Sequence, residues 1–480
     1  MVQGIVVVYL IATVVVGAVL SARIKRASDY LVAGRSLGLV LTTASMAAVQ
    51  IGAGVVLGGA ELGASRGVWP GTWYGLGCGG GLILAGLVAA ERLRGLGGFV
   101  PIDFFAARYG ESRLVRVWAS LSNIPSLLGI FAAQLMASGS VLSAFGLPYR
   151  TAVLAVGGTI LVSNVMSGMW GVVAVDLVQV AVIVIGIPLA AWAALGSAPE
   201  GTTSSLLATP FVPEGMAPRA VFLITPFLFS ISVSYDAFIR YQAARTARVA
   251  RWACILAGVL VVAVSLCSAV AGAAGKRAFP ALEDGAVLTH VITSALPPAL
   301  AGIVVSALLA AAMSTANALL ISMAGCFSRD FYNKLLHPEA RLDELPRATL
   351  YARLAVAVSL VIGVAVALEA RGILDTIIIF NYPYMGSLLV PLLGGLLWPR
   401  ATARGAYAAM AVGGSIGIAA FAAGAPGPLR GLFDVDLALL VAFAVSAVVF
   451  AAVSLTSATE AAAPGTRAAA SSSRALPEAD

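Results

Sequence analysis

Apolar residues run along this chain in blocks of about twenty, divided by short polar segments. A block of that length crosses the hydrocarbon of a bilayer as a helix. The pattern predicts thirteen such spans, over residues 2–22, 39–60, 69–91, 115–145, 151–168, 172–196, 219–240, 252–275, 300–327, 352–370, 373–398, 403–424 and 434–456. Two blocks are interrupted near their middles. In the second, Gln50, Gly52 and Gly54 stand in an otherwise hydrophobic run. In the seventh, Ser230, Ser232 and Ser234 alternate with apolar residues before Tyr235 and Asp236. An unwound helix exposes backbone groups that lipid cannot satisfy, so it has to line a cavity. Either break alone is equally a packing glycine or a kink. Their correspondence five spans apart, in helices of opposite direction, predicts an inverted repeat of residues 39–197 and 219–398. One extra helix (2–22) precedes it and two (403–456) follow, with a solute site at the shared midplane.

The ninth block adds candidate chemistry. Ala311, Ser314 and Thr315 stand at i, i+3 and i+4, so one face of a buried helix carries a carbonyl and two hydroxyls. Crowded neutral oxygens suit a bare, hard monovalent cation. The same residues also suit hydroxyls bonding back to the preceding turn, or close helix packing.

Composition agrees with an all-α integral membrane protein: of 480 residues, 60% are hydrophobic and 11% charged, with a mean hydropathy of +0.98. The 4 cysteines lie in apolar runs without paired spacing, and the 2 histidines lie in connecting segments. That excludes a disulfide framework and a transition-metal centre. No nucleophile–base pair points to an enzyme. The net charge of +7 gathers at span ends rather than on a nucleic-acid-binding surface. With the N-terminus outside and the C-terminus cytoplasmic, 22 of the 29 Lys and Arg fall on the cytoplasmic side, as the positive-inside rule demands. The first span lacks a basic n-region and a cleavage site, so it reads as a retained helix. The tail, 457–480, rich in Ala, Ser, Pro and charge, reads as disordered and cytoplasmic.

Four stretches together carry a family resemblance. They are Ser28–Gly38 after the first span, Pro101–Gly110 after the third, Ser167–Gln179 opening the sixth, and Ala312–Thr315 followed by Ser328–Tyr332 at the ninth. In these the chain resembles the sodium/solute symporter family, which includes proline, galactose, sialic acid, pantothenate and choline carriers. The resemblance implies a LeuT-like 5+5 core in a plasma (bacterial inner) membrane, importing a small organic solute with Na+, a monomer sufficing. It places a sodium ion between the second and ninth spans. Carried over, its ligands are the carbonyls of Ala48, Ile51 and Ala311 and the hydroxyls of Ser314 and Thr315. Asp176 would stand on the sodium release route or at a second site, unless it is simply a carboxylate favoured by a helix N-terminus. Asn317 stands where the family usually has Asp, and Ala318 lacks a hydroxyl, so a single sodium is expected.

Solute contacts are expected among Gln50, Trp73, Tyr74, Phe229, Ser232, Tyr235, Asp236, Asn381, Tyr382 and Tyr384, polar or aromatic residues on the spans that line the family's pocket. Asp236 is an intramembrane charge, and either contacts solute or pairs with Arg240 one turn on. An anionic pocket with aromatic walls would suit an amine or a quaternary ammonium, by cation–π attraction. Two other functions remain open: a proton-coupled carrier on the same scaffold, and a solute sensor. A sensor usually carries a large signalling domain, whereas about 24 residues follow the last span here.

Overall fold

A computed structural model of the chain describes residues 2–20, 26–345, 347–370, 372–424 and 435–457. The expected disordered tail therefore lies, from residue 458 on, outside the described residues. The described chain is helical, with one isolated backbone bridge between Leu37 and Ala244. Its long elements are α1 (Val2–Leu20), α2 (Leu39–Gln50), α3 (Gly59–Arg66), α4 (Val68–Val88), α5 (Pro101–Tyr109), α6 (Arg113–Ala144), α7 (Tyr149–Met166) and α8 (Gly168–Ser197). They continue with α9 (Ala217–Ser230), α10 (Tyr235–Ala243), α11 (Ala247–Ala278), α12 (Pro298–Gly325), α13 (Ala348–Glu369), α14 (Ile373–Tyr384), α15 (Ala403–Gly424) and α16 (Val435–Thr456).

Among the described residues, 10 helices are long and apolar enough to cross a membrane, and 11 if the bent pair Leu39–Gln50 plus Gly54–Arg66 counts as one span. The two helices at the chain ends have only shorter qualifying stretches, Val2–Val16 and Leu440–Thr456. The expected thirteen is thus reached only by including those.

The interruptions have local causes. α2 stops at Gln50, Ile51 takes a non-helical φ/ψ of −83°/62°, and the chain resumes at an angle of 57°. Gly52 sits where a Cβ would lie 2.7 Å from the Thr315 hydroxyl, so only glycine lets the second span approach α12 this closely. In the seventh span a short 3-10 turn, Ile231–Val233, leads to an extended Ser234. The Ser234 hydroxyl then accepts from the Ala237 N–H and starts α10. Between α7 and α8, Gly168 has φ of 50°, and a Cβ there would meet the Tyr30 ring at 2.6 Å. Tyr30 in turn donates to the Asn164 carbonyl at 2.9 Å.

α12 is the buried axis of the bundle, with every residue from Val304 to Gly325 buried. Its small residues allow neighbouring backbones to approach, which is how helices associate where lipid removes the hydrophobic drive.

Candidate ion and solute site

The break in the second span delivers carbonyls to α12. Ser314 Oγ lies 2.9 Å from the Ala48 carbonyl and 3.0 Å from that of Ala311. Thr315 Oγ1 lies 2.9 Å from the Val49 carbonyl, 3.2 Å from Ala311 and 3.4 Å from Ala48. Two hydroxyls supply two protons, yet three carbonyls converge on them, so this buried spot holds more oxygen acceptors than donors. Such a set suits a hard cation, and unwound carbonyls serve that purpose in transporters. Ala48, Ala311, Ser314 and Thr315 thus come together as the sequence suggests. Neither hydroxyl donates to the Ile51 carbonyl; Thr315 bonds the Val49 carbonyl instead.

The unwound backbone is satisfied from α6: Gln134 Oε1 accepts from the Ala53 N–H at 2.7 Å. Beside it a cavity opens between the two broken spans, α6 and α14. Six of the expected solute contacts line it: Gln50, Tyr74, Tyr235, Asp236, Asn381 and Tyr384. The other four do not. Trp73 donates to the Phe211 carbonyl at 3.2 Å, Phe229 stacks on Phe443 at 6.3 Å, Ser232 donates back to the Phe229 carbonyl at 2.6 Å, and Tyr382 is fully buried away from the cavity. Asn123, Ser126 and Gln134 on α6 are lining residues absent from the expectation. Ser126 donates to Asn381 Oδ1 at 2.6 Å, which ties α6 to α14 across one wall.

A buried charge network lies beside the cavity. Ser45 donates to Asp176 Oδ2 at 2.7 Å, and Arg240 Nη2 lies 3.6 Å from the same oxygen. Arg240 also donates to the Ser45 carbonyl at 3.0 Å and to the Asp236 backbone carbonyl at 3.1 Å. Its guanidinium therefore pairs with Asp176 rather than with the Asp236 carboxylate one turn away. Asp236 instead accepts from Gln50 Nε2 at 2.9 Å, a bond that joins the two broken spans.

A second charged cluster brings together two of the sequence motifs. Arg116, at the start of α6, reaches Asp103 at 3.1 Å, Glu111 at 2.5 Å and Asp330 at 2.8 Å. Arg329 lies 3.2 Å from Asp103, and Tyr235 donates to Asp330 at 3.0 Å. Burial opposes the charge on Asp103, but the Arg329 and Arg116 guanidiniums outweigh it and hold the carboxyl below its usual range.

Comparison with known proteins accords with this architecture. The model of the sodium:solute symporter family matches residues 30–413. A sodium/pantothenate symporter of Escherichia coli (strain K12) is 28% identical over 416 residues, covering 81% of this chain and 83% of the relative. A sodium/proline symporter of Staphylococcus aureus (strain bovine RF122 / ET3-1) is 26% identical over 416 residues, covering 80% of this chain and 79% of the relative. Among solved structures, the substrate-bound outward-open state of a Na+-coupled sialic acid symporter superposes with a TM-score of 0.78 at 18% identity, covering 95% of this chain and 98% of that one. A nucleobase-cation-symport-1 family transporter in a closed conformation gives 0.57 at 15% identity, covering 92% and 95%. The fold is the one those transporters share, and the family's activity is transport, not catalysis. With the family model matching most of its length, the chain belongs to the sodium:solute symporter family.

Proposed function

We propose that this protein imports a small organic solute by alternating access, coupled to one Na+ held between the second span and α12. The oxygen cluster of Ala48, Val49, Ala311, Ser314 and Thr315 carries the reading. Sodium in this cluster ties a broken helix to the buried axis and favours the state that accepts solute. Its loss to the cytoplasm releases the two, a population shift driven by differential binding. Asp176 lies on the release route, and the N-terminus faces outward.

The energy suffices. One charge crossing 100 mV contributes about 2.3 kcal/mol, and a tenfold gradient adds about 1.4 kcal/mol. Together these support roughly 500-fold accumulation of a neutral solute. The relatives named for pantothenate and proline support a small organic solute. The test is uptake into proteoliposomes under an imposed sodium gradient, for wild type and for Ser314→Ala with Thr315→Ala. The double variant should require far more sodium; unchanged sodium dependence would show the ion to bind elsewhere. Uptake that follows an imposed pH gradient and ignores sodium would favour a proton-coupled carrier.

A further inference from the structure

Among the described residues, the cavity between the broken spans is lined by a single acidic side chain. Its lining is otherwise apolar, aromatic or amide- and hydroxyl-bearing; among the described residues Asp236 is the one carboxylate, and no Lys, Arg or His lines it. Asp236 is 7% exposed, and the nearest base in sequence is committed elsewhere. Arg240 directs its Nε to Ser45, its Nη1 to the Asp236 backbone carbonyl and its Nη2 toward Asp176. The network therefore sets two carboxyl groups against one guanidinium, and Asp236 is the carboxyl that faces the cavity. The Arg240 guanidinium acts on Asp236 only through space, while the hydrogen bonds Asp236 accepts come from neutral groups: the Gln50 amide at 2.9 Å, the Ser234 hydroxyl and N–H groups at the start of α10. Those donors lessen the cost of a buried carboxylate without cancelling its charge.

Resting on the symporter reading above, we infer that the transported solute carries an ammonium group, protonated or quaternary, that docks on Asp236. The aromatic lining fits that chemistry. Tyr74 and Phe227 meet edge to face with ring centroids 4.7 Å apart, and both line the cavity. Tyr384 is held by its hydroxyl, which donates to the Val233 carbonyl at 3.1 Å. Fixed aromatic rings around one carboxylate attract an alkylated cation by charge and by cation–π contact, at little conformational cost. A docked ammonium also neutralises the Asp236 charge at the position that joins the two broken spans. Solute is thereby linked to the same moving parts as the sodium cluster, since Gln50 directly follows Val49. A purely anionic solute would bring a second negative charge to a cavity that offers it no basic side chain.

The experiment uses the full chain purified in detergent, with the thermal midpoint read in sodium chloride and in potassium chloride. The probes are glycine betaine, choline and proline on one side, pantothenate and glucose on the other. The expected result is a rise in midpoint with at least one ammonium-bearing probe in sodium, and none with pantothenate or glucose. Asp236→Asn keeps the Gln50 contact; it should weaken the ammonium probe's half-maximal concentration at least tenfold while retaining the shift produced by sodium alone. Stabilisation by pantothenate or glucose, no response to any ammonium probe, or an unchanged response in Asp236→Asn would each overturn the inference. Should the variant not fold, the wild-type panel decides by itself. Ammonium probes that act equally in potassium would instead sink the sodium coupling and leave the solute class standing.

Discussion

Asn164 donates through Nδ2 to Oδ1 of Asn317 at 2.7 Å, an amide pair buried between α7 and α12. Asn164 Oδ1 and Asn317 Nδ2 have no hydrogen-bond partner. Asn317 stands one turn beyond Ser314, where an acidic residue would add a negative oxygen to the ion pathway. A neutral amide here supplies no negative oxygen for a second cation, in keeping with the single sodium proposed above. Sodium dependence of uptake should therefore show a Hill coefficient near ~1, the value for one coupled ion. Asn317→Asp with Ala318→Ser should steepen it, because the carboxylate still accepts from Asn164 and adds a charge for a second ion.

Gly52→Ala tests the close approach of the second span to α12. Its Cβ would stand 2.7 Å from Thr315 Oγ1 and 3.0 Å from Gln134 Oε1. Moving the threonine hydroxyl out of the oxygen cluster should raise the half-maximal sodium concentration about tenfold, equal to ~1.4 kcal/mol. Sodium titration of uptake reads this directly.

Gln134→Leu removes the acceptor for the Ala53 N–H and leaves that donor buried. The expected loss of stability is about 1–3 kcal/mol, read as a lower thermal midpoint in detergent. Gln134→Glu keeps an acceptor at the same place and should recover most of it.

Asp103 links Arg116 and Arg329, so Asp103→Asn should cost about 3–5 kcal/mol at neutral pH by leaving buried guanidiniums short of charge. The pH dependence has a definite sign. Burial raises the Asp103 carboxyl, Arg329 and Arg116 more than offset it, and the net shift is downward. A depressed carboxyl contributes stability above its unfolded value of about 3.9 and loses it as pH falls through the lower folded value. The midpoints of wild type and variant should therefore differ by a constant amount at neutral pH and converge in acid below that unfolded value. A gap that widens in acid would contradict the assignment.

The breaks of the second and seventh spans were legible in sequence because two interruptions recur five spans apart, where either alone reads equally as a kink. The contribution of α6 was not, since an unbroken helix with scattered polar residues reads as packing. A signal does exist there: Asn123, Ser126, Ile130 and Gln134 follow the helical period and face one cavity. The Thr315 bond to the Val49 carbonyl was not legible, because the point where a helix unwinds shifts by a residue or two without any mark in the hydrophobic pattern. Trp73 and Phe229 occupy the right spans, but side-chain direction is set by the partners Phe211 and Phe443, which lie far away in sequence.

The arginine at the start of α6 gives the bundle a mechanical threshold. Arg116 is nearly inaccessible and holds three carboxylates from three segments, one of which, Asp330, also restrains Tyr235 of the broken seventh span. Prising that end apart strips one guanidinium of several counter-charges together, so partial opening gains little and costs almost as much as full opening. The motion should behave as a snap latch, with few intermediates, and because the cluster is shielded from solvent ions, the rate at which the bundle unlocks should change little with ionic strength.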